Sequence, residues 1–248
     1  MIDPMHFEAR SEVYERARPP YPEGLWEHLR VSGLLQPGAR VLELGAGSGQ
    51  ATVRLVAEGA RVTAVEPGRS LARRLQERLP QVKLRVATAE AVDLPRSAFD
   101  LAVAATAVHW FDLPVVLPKL HVALVPHGRF AVWRNVYGDP RVRTEFRKRV
   151  DEIVARRAAT PERGPAGELD LEGWVTQLTR TGHFVAEDVQ QWWWSVELDA
   201  GQIRDLFSTF SEWSEDEADQ AGRAAASLGG RVTEHYSTWL IVLRRVDD

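Results

Sequence analysis

The segment from Arg40 to Glu66 constrains this chain more than any other. Val41-Leu42-Glu43-Leu44 is a short apolar run of strand type, and it leads without a linker into Gly45-Ala46-Gly47-Ser48-Gly49. A helical pattern over Gly49–Glu58 follows at once, then a second β-branched run, Arg61–Val65, which ends at Glu66. Alternate glycines let the backbone turn tightly and approach a ligand that a Cβ would exclude, while the helix start behind them offers free N–H groups to a negative group. Glu66, at the end of the second strand, is placed to accept hydrogen bonds from both hydroxyls of a ribose. The segment therefore predicts a βαβ unit of a parallel sheet that holds a nucleoside at two points.

The same rhythm continues. Arg69–Leu79 is expected as a second helix, Val82–Ala87 as a third strand, Phe99–Ala105 as a fourth and Leu113–Leu124 as a helix. A turn at Pro126–Gly128 then precedes a fifth strand, Gly128–Trp133. After Asn135 the alternation breaks. Arg141–Arg157 reads as a long charged helix and Ala158–Glu168 as a Pro/Gly/Ala-rich connector. Leu171–Thr181, Ile203–Trp213 and Glu217–Ala226 read as helices, with strands at Gln190–Leu198 and Thr233–Leu243. Ahead of the sheet, Arg10–Leu29 is a helical arm broken by Pro19, Pro20 and Pro22 and expected to lie over the ligand-binding edge. These features predict one α/β domain over residues 1–248: an arm at 10–30, a ligand-binding core at 39–135, cap segments at 136–182 and 199–230, and closing strands at 183–198 and 231–245.

Composition enters as a set of exclusions. The formal net charge of −4 gives no general attraction to nucleic acid or anionic lipid, so neither is expected as a partner. No run approaches the ~18 apolar residues of a membrane span, and Met1–Arg10 lacks an apolar leader, so a cytoplasmic location is expected. With no Cys, thiolate metal sites and cysteine nucleophiles are excluded, and the seven His show no ligand spacing, so no metal is expected.

Two nucleoside ligands suit the glycine loop, a dinucleotide and S-adenosylmethionine. Gln50 stands where the dinucleotide fingerprint has its third glycine, and Glu43 inside the strand would repel a pyrophosphate but suits a cationic amino group. Four further segments agree with the second ligand. Glu43-Leu44-Gly45-Ala46-Gly47-Ser48-Gly49 resembles motif I of the class I S-adenosylmethionine-dependent methyltransferases, and Ala64-Val65-Glu66-Pro67 resembles their acidic ribose loop. Thr88–Pro95 is similar to their adenine loop, with Thr88 where an acid is usual, and Phe99–Ala104 to their motif IV. Tyr14–Tyr21, Val108–Asp112 and Phe207–Trp213 further resemble the small-molecule branch that includes trans-aconitate and cantharidin methyltransferases.

That resemblance implies a Rossmann-like, seven-stranded, mostly parallel sheet with the last strand antiparallel, an N-terminal helical arm and a helical cap. It implies S-adenosylmethionine as cofactor, held by Tyr14, Arg18, Glu43, Gly45, Ala46, Gly47, Gly49, Glu66, Pro67, Thr88, Ala89, Glu90, Ala105, Thr106 and Trp110. It also implies a small-molecule acceptor lined by Tyr21, Trp133, Arg134, Phe207 and Trp213, in a monomer or homodimer. The chemistry asked of the protein is positioning, because the sulfonium is already a strong electrophile. An amine or phenol acceptor would gain from His109 as general base, whereas a carboxylate would need a cation such as Arg134 or Arg18 to orient it. His109 beside Trp110 also reads as a packed side chain of the cleft, and Trp192–Trp194 as a strand with one core face. An NAD(P)-dependent oxidoreductase and a non-catalytic cofactor-binding protein remain the rival functions.

Overall fold

The short apolar runs of the first half become strands, and their loops place the site. The computed structural model describes residues 13, 16–157, 168–210 and 212–247. Tyr14 and most of the expected connector after Arg157 lie outside the described residues. Seven strands are present: β1 (Arg40–Leu44), β2 (Arg61–Val65), β3 (Lys83–Arg85), β4 (Phe99–Ala105), β5 (Leu124–Tyr137), β6 (Phe184–Asp199) and β7 (Arg231–Arg245). They form one sheet in the order β3-β2-β1-β4-β5-β7-β6, with the last strands antiparallel. The pairs β1–β2, β1–β4, β2–β3 and β4–β5 are all parallel. Because β1 pairs with β2 on one side and β4 on the other, the strand order reverses beside it. In open α/β sheets, ligands bind outside the carboxyl ends of the strands at such a point.

The chain divides into two compact units. The first comprises Tyr21–Asn135, Asp170–Trp192 and Thr238–Asp248; the second takes the residues up to Pro20, Val136–Leu169 and Trp193–Ser237. The second unit gathers a core of its own.

In the first unit the helices are α1 (Glu23–Val31), α2 (Gln50–Ala57), α3 (Arg69–Arg78), α4 (Leu113–Ala123) and, later in the chain, α6 (Leu171–Thr179). Pro22 caps α1, and its ring has no N–H that a continuous helix would require, which is why the arm turns into a helix only there. Leu25, Trp26 and Leu29 are buried against Val41, Leu55, Trp133 and Leu240. Each such side chain contributes about 1.5–3 kcal/mol by leaving water. The expected turn at Pro126–Gly128 does not end a strand. The β4–β5 register shifts there, from Phe99↔Leu124 to Leu101↔Arg129, so the segment bulges out of a longer β5.

In the second unit, α5 (Glu145–Val154), α7 (Ala200–Ser208) and α8 (Glu215–Ser227) carry their own start signals. Thr144 accepts from the Arg147 N–H, and Asp199/Gln202 and Ser214/Glu217 form reciprocal capping boxes. Phe146, Val150, Ile203, Phe207, Ala221, Ala225 and Tyr236 form its core. Gly222 lets α8 lie against α7, since a Cβ there would stand 3.1 Å from the Cβ of Arg204. Arg147 pairs at 2.9 Å with Glu234, a wholly buried acid near the start of β7.

Candidate functional site

The carboxyl ends of β1, β2 and β4 lead into the predicted residues Gly45–Gly49, Glu66–Pro67 and Ala105–Thr106. Register alone does much of this. Leu44 pairs with Val65, so Gly45 and Glu66 leave the sheet side by side, and Thr106 leaves β4 beside Trp133 and Arg134, where β5 continues to Tyr137. The loop is pinned by N–H donation from Gly45 and Ala46 to the Val65 carbonyl, at 2.8 and 3.1 Å.

Two glycines carry the geometry. Gly45 has φ +70°, and a Cβ there would stand 2.5 Å from the Ala107 Cβ, so only glycine lets β1 turn against the segment after β4. Gly47 has φ +59°, and no protein atom lies within 4 Å of where its Cβ would stand. Its missing side chain therefore faces open space rather than a packing neighbour.

Glu66 defines the other wall. Its Oε2 accepts the Gly47 N–H and its Oε1 the Gly68 N–H, both at 2.8 Å. The carboxylate is thereby fixed by its own loops. Glu43 lies just inside the strand, wholly buried, with Oε2 accepting from the Thr52 hydroxyl at 2.7 Å and Oε1 without a hydrogen-bond partner. Burial pushes the Glu43 carboxyl up to about 8; the Thr52 hydrogen bond opposes this and the charge of Glu66 adds to it. Thr52 was missed in the sequence reading, although a threonine on the inner face of the first helix, nine residues after a buried acid, is the signal that could have found it.

The remaining predicted residues fall as follows. Pro67 and Gly68 follow Glu66 into α3. Thr88 uses its hydroxyl to accept the Ala91 N–H, Ala89 is buried, and Glu90 Oε1 accepts the Asp112 N–H at 2.9 Å. Partial burial would raise the Glu90 carboxyl, but the Asp112 and Thr88 hydrogen bonds and the nearby Lys119 ammonium hold it below the usual range. The loop after β3 is thereby tied to the start of α4. Thr106 is a β-branched residue at φ +56°, a costly conformation. It is held by its N–H to the Trp133 carbonyl (2.8 Å) and by a hydroxyl contact with Tyr21 (2.9 Å). His109 and Trp110 lie half-buried in a 3₁₀ turn, Val108–Trp110, with ring centroids 4.7 Å apart. Tyr21→Phe removes one member of the Tyr21–Thr106 pair and is expected to cost about 1 kcal/mol, a fall of about 2–4 °C in melting temperature. An unchanged melting curve would show that the pair does not hold Thr106.

Trp133 was expected to line an acceptor, but it is fully buried, edge-on to Tyr21 at 6.0 Å and Trp26 at 5.9 Å. Its ring belongs to the core, and Arg134 beside it is half-buried. Three predicted residues belong to the second unit. Arg18 donates to the Thr209 carbonyl and lies over the Phe210 ring at 4.5 Å, Phe207 is fully buried, and Trp213 meets Phe207 edge-on at 4.3 Å. No group of His and acidic residues suited to a metal is found among the described residues, and no described helix is long and apolar enough to cross a membrane.

A loop that excludes side chains, an acid fixed beside it and a buried acid with one open oxygen together fit a ligand with a ribose and a cationic head. Known proteins agree. A family profile described as a methyltransferase domain matches residues 42–132. An uncharacterized methyltransferase of Mycobacterium tuberculosis is 32% identical over 183 residues, 71% of this chain and 72% of the relative. A solved structure of a candidate type II methyltransferase from Anaeromyxobacter dehalogenans is 29% identical with a TM-score of 0.63, covering 92% of this chain and 96% of that one. The Haemonchus contortus phosphoethanolamine N-methyltransferase 2, solved with phosphomonomethylethanolamine and S-adenosylhomocysteine, shares the fold at 16% identity and a TM-score of 0.58, covering 100% of this chain and 61% of that one.

Proposed function

Because this chain belongs to the class I S-adenosylmethionine-dependent methyltransferases, we propose that it methylates a small molecule and that the methyl acceptor is a carboxylate. The observation that carries the reading is the edge formed by Gly45, Gly47 and Glu66 with Glu43 beneath it, with a half-buried Arg134 in β5, the strand beyond β4. Glu66 would hold the ribose, Glu43 the amino group, the loop from Gly45 to Gly49 the methionine end, and Thr88–Glu90 the adenine. Ala46, Pro67, Ala105, Thr106 and Trp110 line the same edge. When bound, S-adenosylmethionine supplies an activated methyl group.

The protein's share is to position the acceptor and exclude water. The formal charge of −4 supports a small acceptor over nucleic acid, and the half-buried His109 and Trp110 supply an aromatic wall rather than a basic surface. Two related folds carry names of small acceptors, the Haemonchus enzyme and a candidate sarcosine dimethylglycine methyltransferase from Galdieria sulphuraria. A carboxylate is already ionised near neutrality, so it needs the Arg134 cation and no base.

The test is S-adenosylhomocysteine release across carboxylic acids, phenols, amines, protein and nucleic acid. Release with carboxylic acids is expected, and release with macromolecules alone would overturn the reading. With the true acceptor, His109→Gln should keep kcat within about threefold and the parent's pH profile should stay flat near neutrality, while Arg134→Ala raises the acceptor KM. A loss of about 10²–10⁴-fold in kcat, with the parent's rate rising through an imidazole pKa, would assign His109 as general base and reject the carboxylate.

A further inference from the structure

Glu43 is an acid that the fold has hidden beside the ligand loop with no cation paired to it among the described residues. Its neighbours across the sheet are Ala64 of β2 and Val103 of β4, which offer no side-chain hydrogen bond. Over it, α2 presents Thr52, itself fully buried, whose hydroxyl holds Oε2 at 2.7 Å. The charged group that bears on it is Glu66, of like sign. Its Oε1 has no hydrogen-bond partner. An ionised carboxylate so placed is unfavourable, so the side chain keeps its proton near neutrality. A buried acid of this kind is of little use to the fold, since an apolar residue of similar size would fill the same space at no electrostatic cost.

We propose that Glu43, oriented by Thr52, reads the α-ammonium group of the cofactor by exchanging its own proton for that cation, so that each binding event releases one proton to solvent. The carboxyl O–H bond breaks, the proton passes to water, and the carboxylate left behind pairs with the ammonium. Glu43 is thus a proton-coupled anchor and Thr52 a positioning residue. The donor hydroxyl fixes Oε2 and leaves Oε1 as the oxygen that meets the cation. The inference rests on cofactor binding at the glycine loop and is independent of which acceptor is methylated.

Calorimetric titration of the full chain with S-adenosylhomocysteine, in phosphate and in Tris at pH about 7, counts the protons directly. A carboxyl with a pKa of about 8 is about 0.9 protonated at that pH, so the expected release is about 0.9 proton per ligand. Affinity should rise about tenfold between pH about 6 and about 7, where the ligand's own amino group stays charged. Glu43→Gln should abolish both the release and the pH dependence. Thr52→Val should weaken binding by about threefold or more, and Thr52→Ser should restore it.

A second readout needs no ligand. The raised Glu43 carboxyl stabilises the fold fully below the unfolded value of about 4.5, and this contribution is lost as pH rises through about 8. Relative to Glu43→Gln, the parent's melting temperature should therefore fall between pH about 5 and 9, and saturating S-adenosylhomocysteine should remove the fall. Tight binding with no proton released, or the same release from Glu43→Gln, would overturn the proposal and leave the cofactor assignment standing. Failure of the chain to bind S-adenosylhomocysteine at all would overturn both.

Discussion

Gly47→Val is expected to abolish cofactor binding, with affinity for S-adenosylhomocysteine falling at least about a hundredfold, or about 2.7 kcal/mol. Two effects combine. The valine side chain would occupy the cradle that no protein atom fills in the parent, and a β-branched residue is strained at φ +59° by about 1–2 kcal/mol. Gly47→Ala carries the smaller group and should lose less. Circular dichroism should show both variants folded, because the added carbons meet no packed neighbour within 4 Å. A folded Gly47→Val protein with the parent's affinity would show that the cofactor does not approach this loop.

Glu66→Ala is the second large effect. In the proposed mode each carboxylate oxygen accepts one ribose hydroxyl, and a hydrogen bond to a charged group contributes about 1.5–3 kcal/mol. Binding should weaken by at least about tenfold. Because Glu66 also accepts the Gly47 and Gly68 N–H groups, part of the loss could come from a loosened loop. A 2′-deoxy analogue of the cofactor separates the two. Its penalty relative to the ordinary ligand should be large in the parent and small in Glu66→Ala; equal penalties would place the ribose elsewhere.

The first half of the fold was legible because its strands are short apolar runs with glycine, proline or acidic stops. β1, β2 and β4 begin and end where the sequence places them. β5 was underestimated for a local reason. Pro126-His127-Gly128 has turn chemistry, but the ladder with β4 resumes at Arg129, so the turn became a bulge. β6 begins at Phe184, within the closing segment expected at 183–198, although the local pattern marks a strand only from Gln190, because Glu187 and Asp188 interrupt the apolar residues before it. Glu187 meets Arg129, and Asp188 meets His28. Such an edge strand lacks the apolar alternation that marks a half-buried one.

For the site, the glycines and the two acids could be read because their roles follow from backbone geometry and spacing. The aromatic residues could not. Trp133, at the expected end of the fifth strand, and Phe207, in a segment expected to line the acceptor, both suit an acceptor wall on paper, yet each fills a core. Burial of a large ring depends on which rings from distant segments meet it, here Tyr21 and Trp26 for Trp133 and Tyr137, Phe146 and Phe210 for Phe207. Glu234 was overlooked because an acid between Thr233 and His235 reads as a surface residue until its partner, Arg147 in another element, is known.

The central claim is that the edge formed by Glu43, Gly45, Gly47 and Glu66 binds S-adenosylmethionine and not a dinucleotide. Parallel calorimetric titrations of the chain with S-adenosylhomocysteine and with NADH test it most directly. One equivalent of S-adenosylhomocysteine should bind with heat that disappears in Gly47→Val, and NADH should give none. Saturable binding of NADH with no response to S-adenosylhomocysteine would contradict the account.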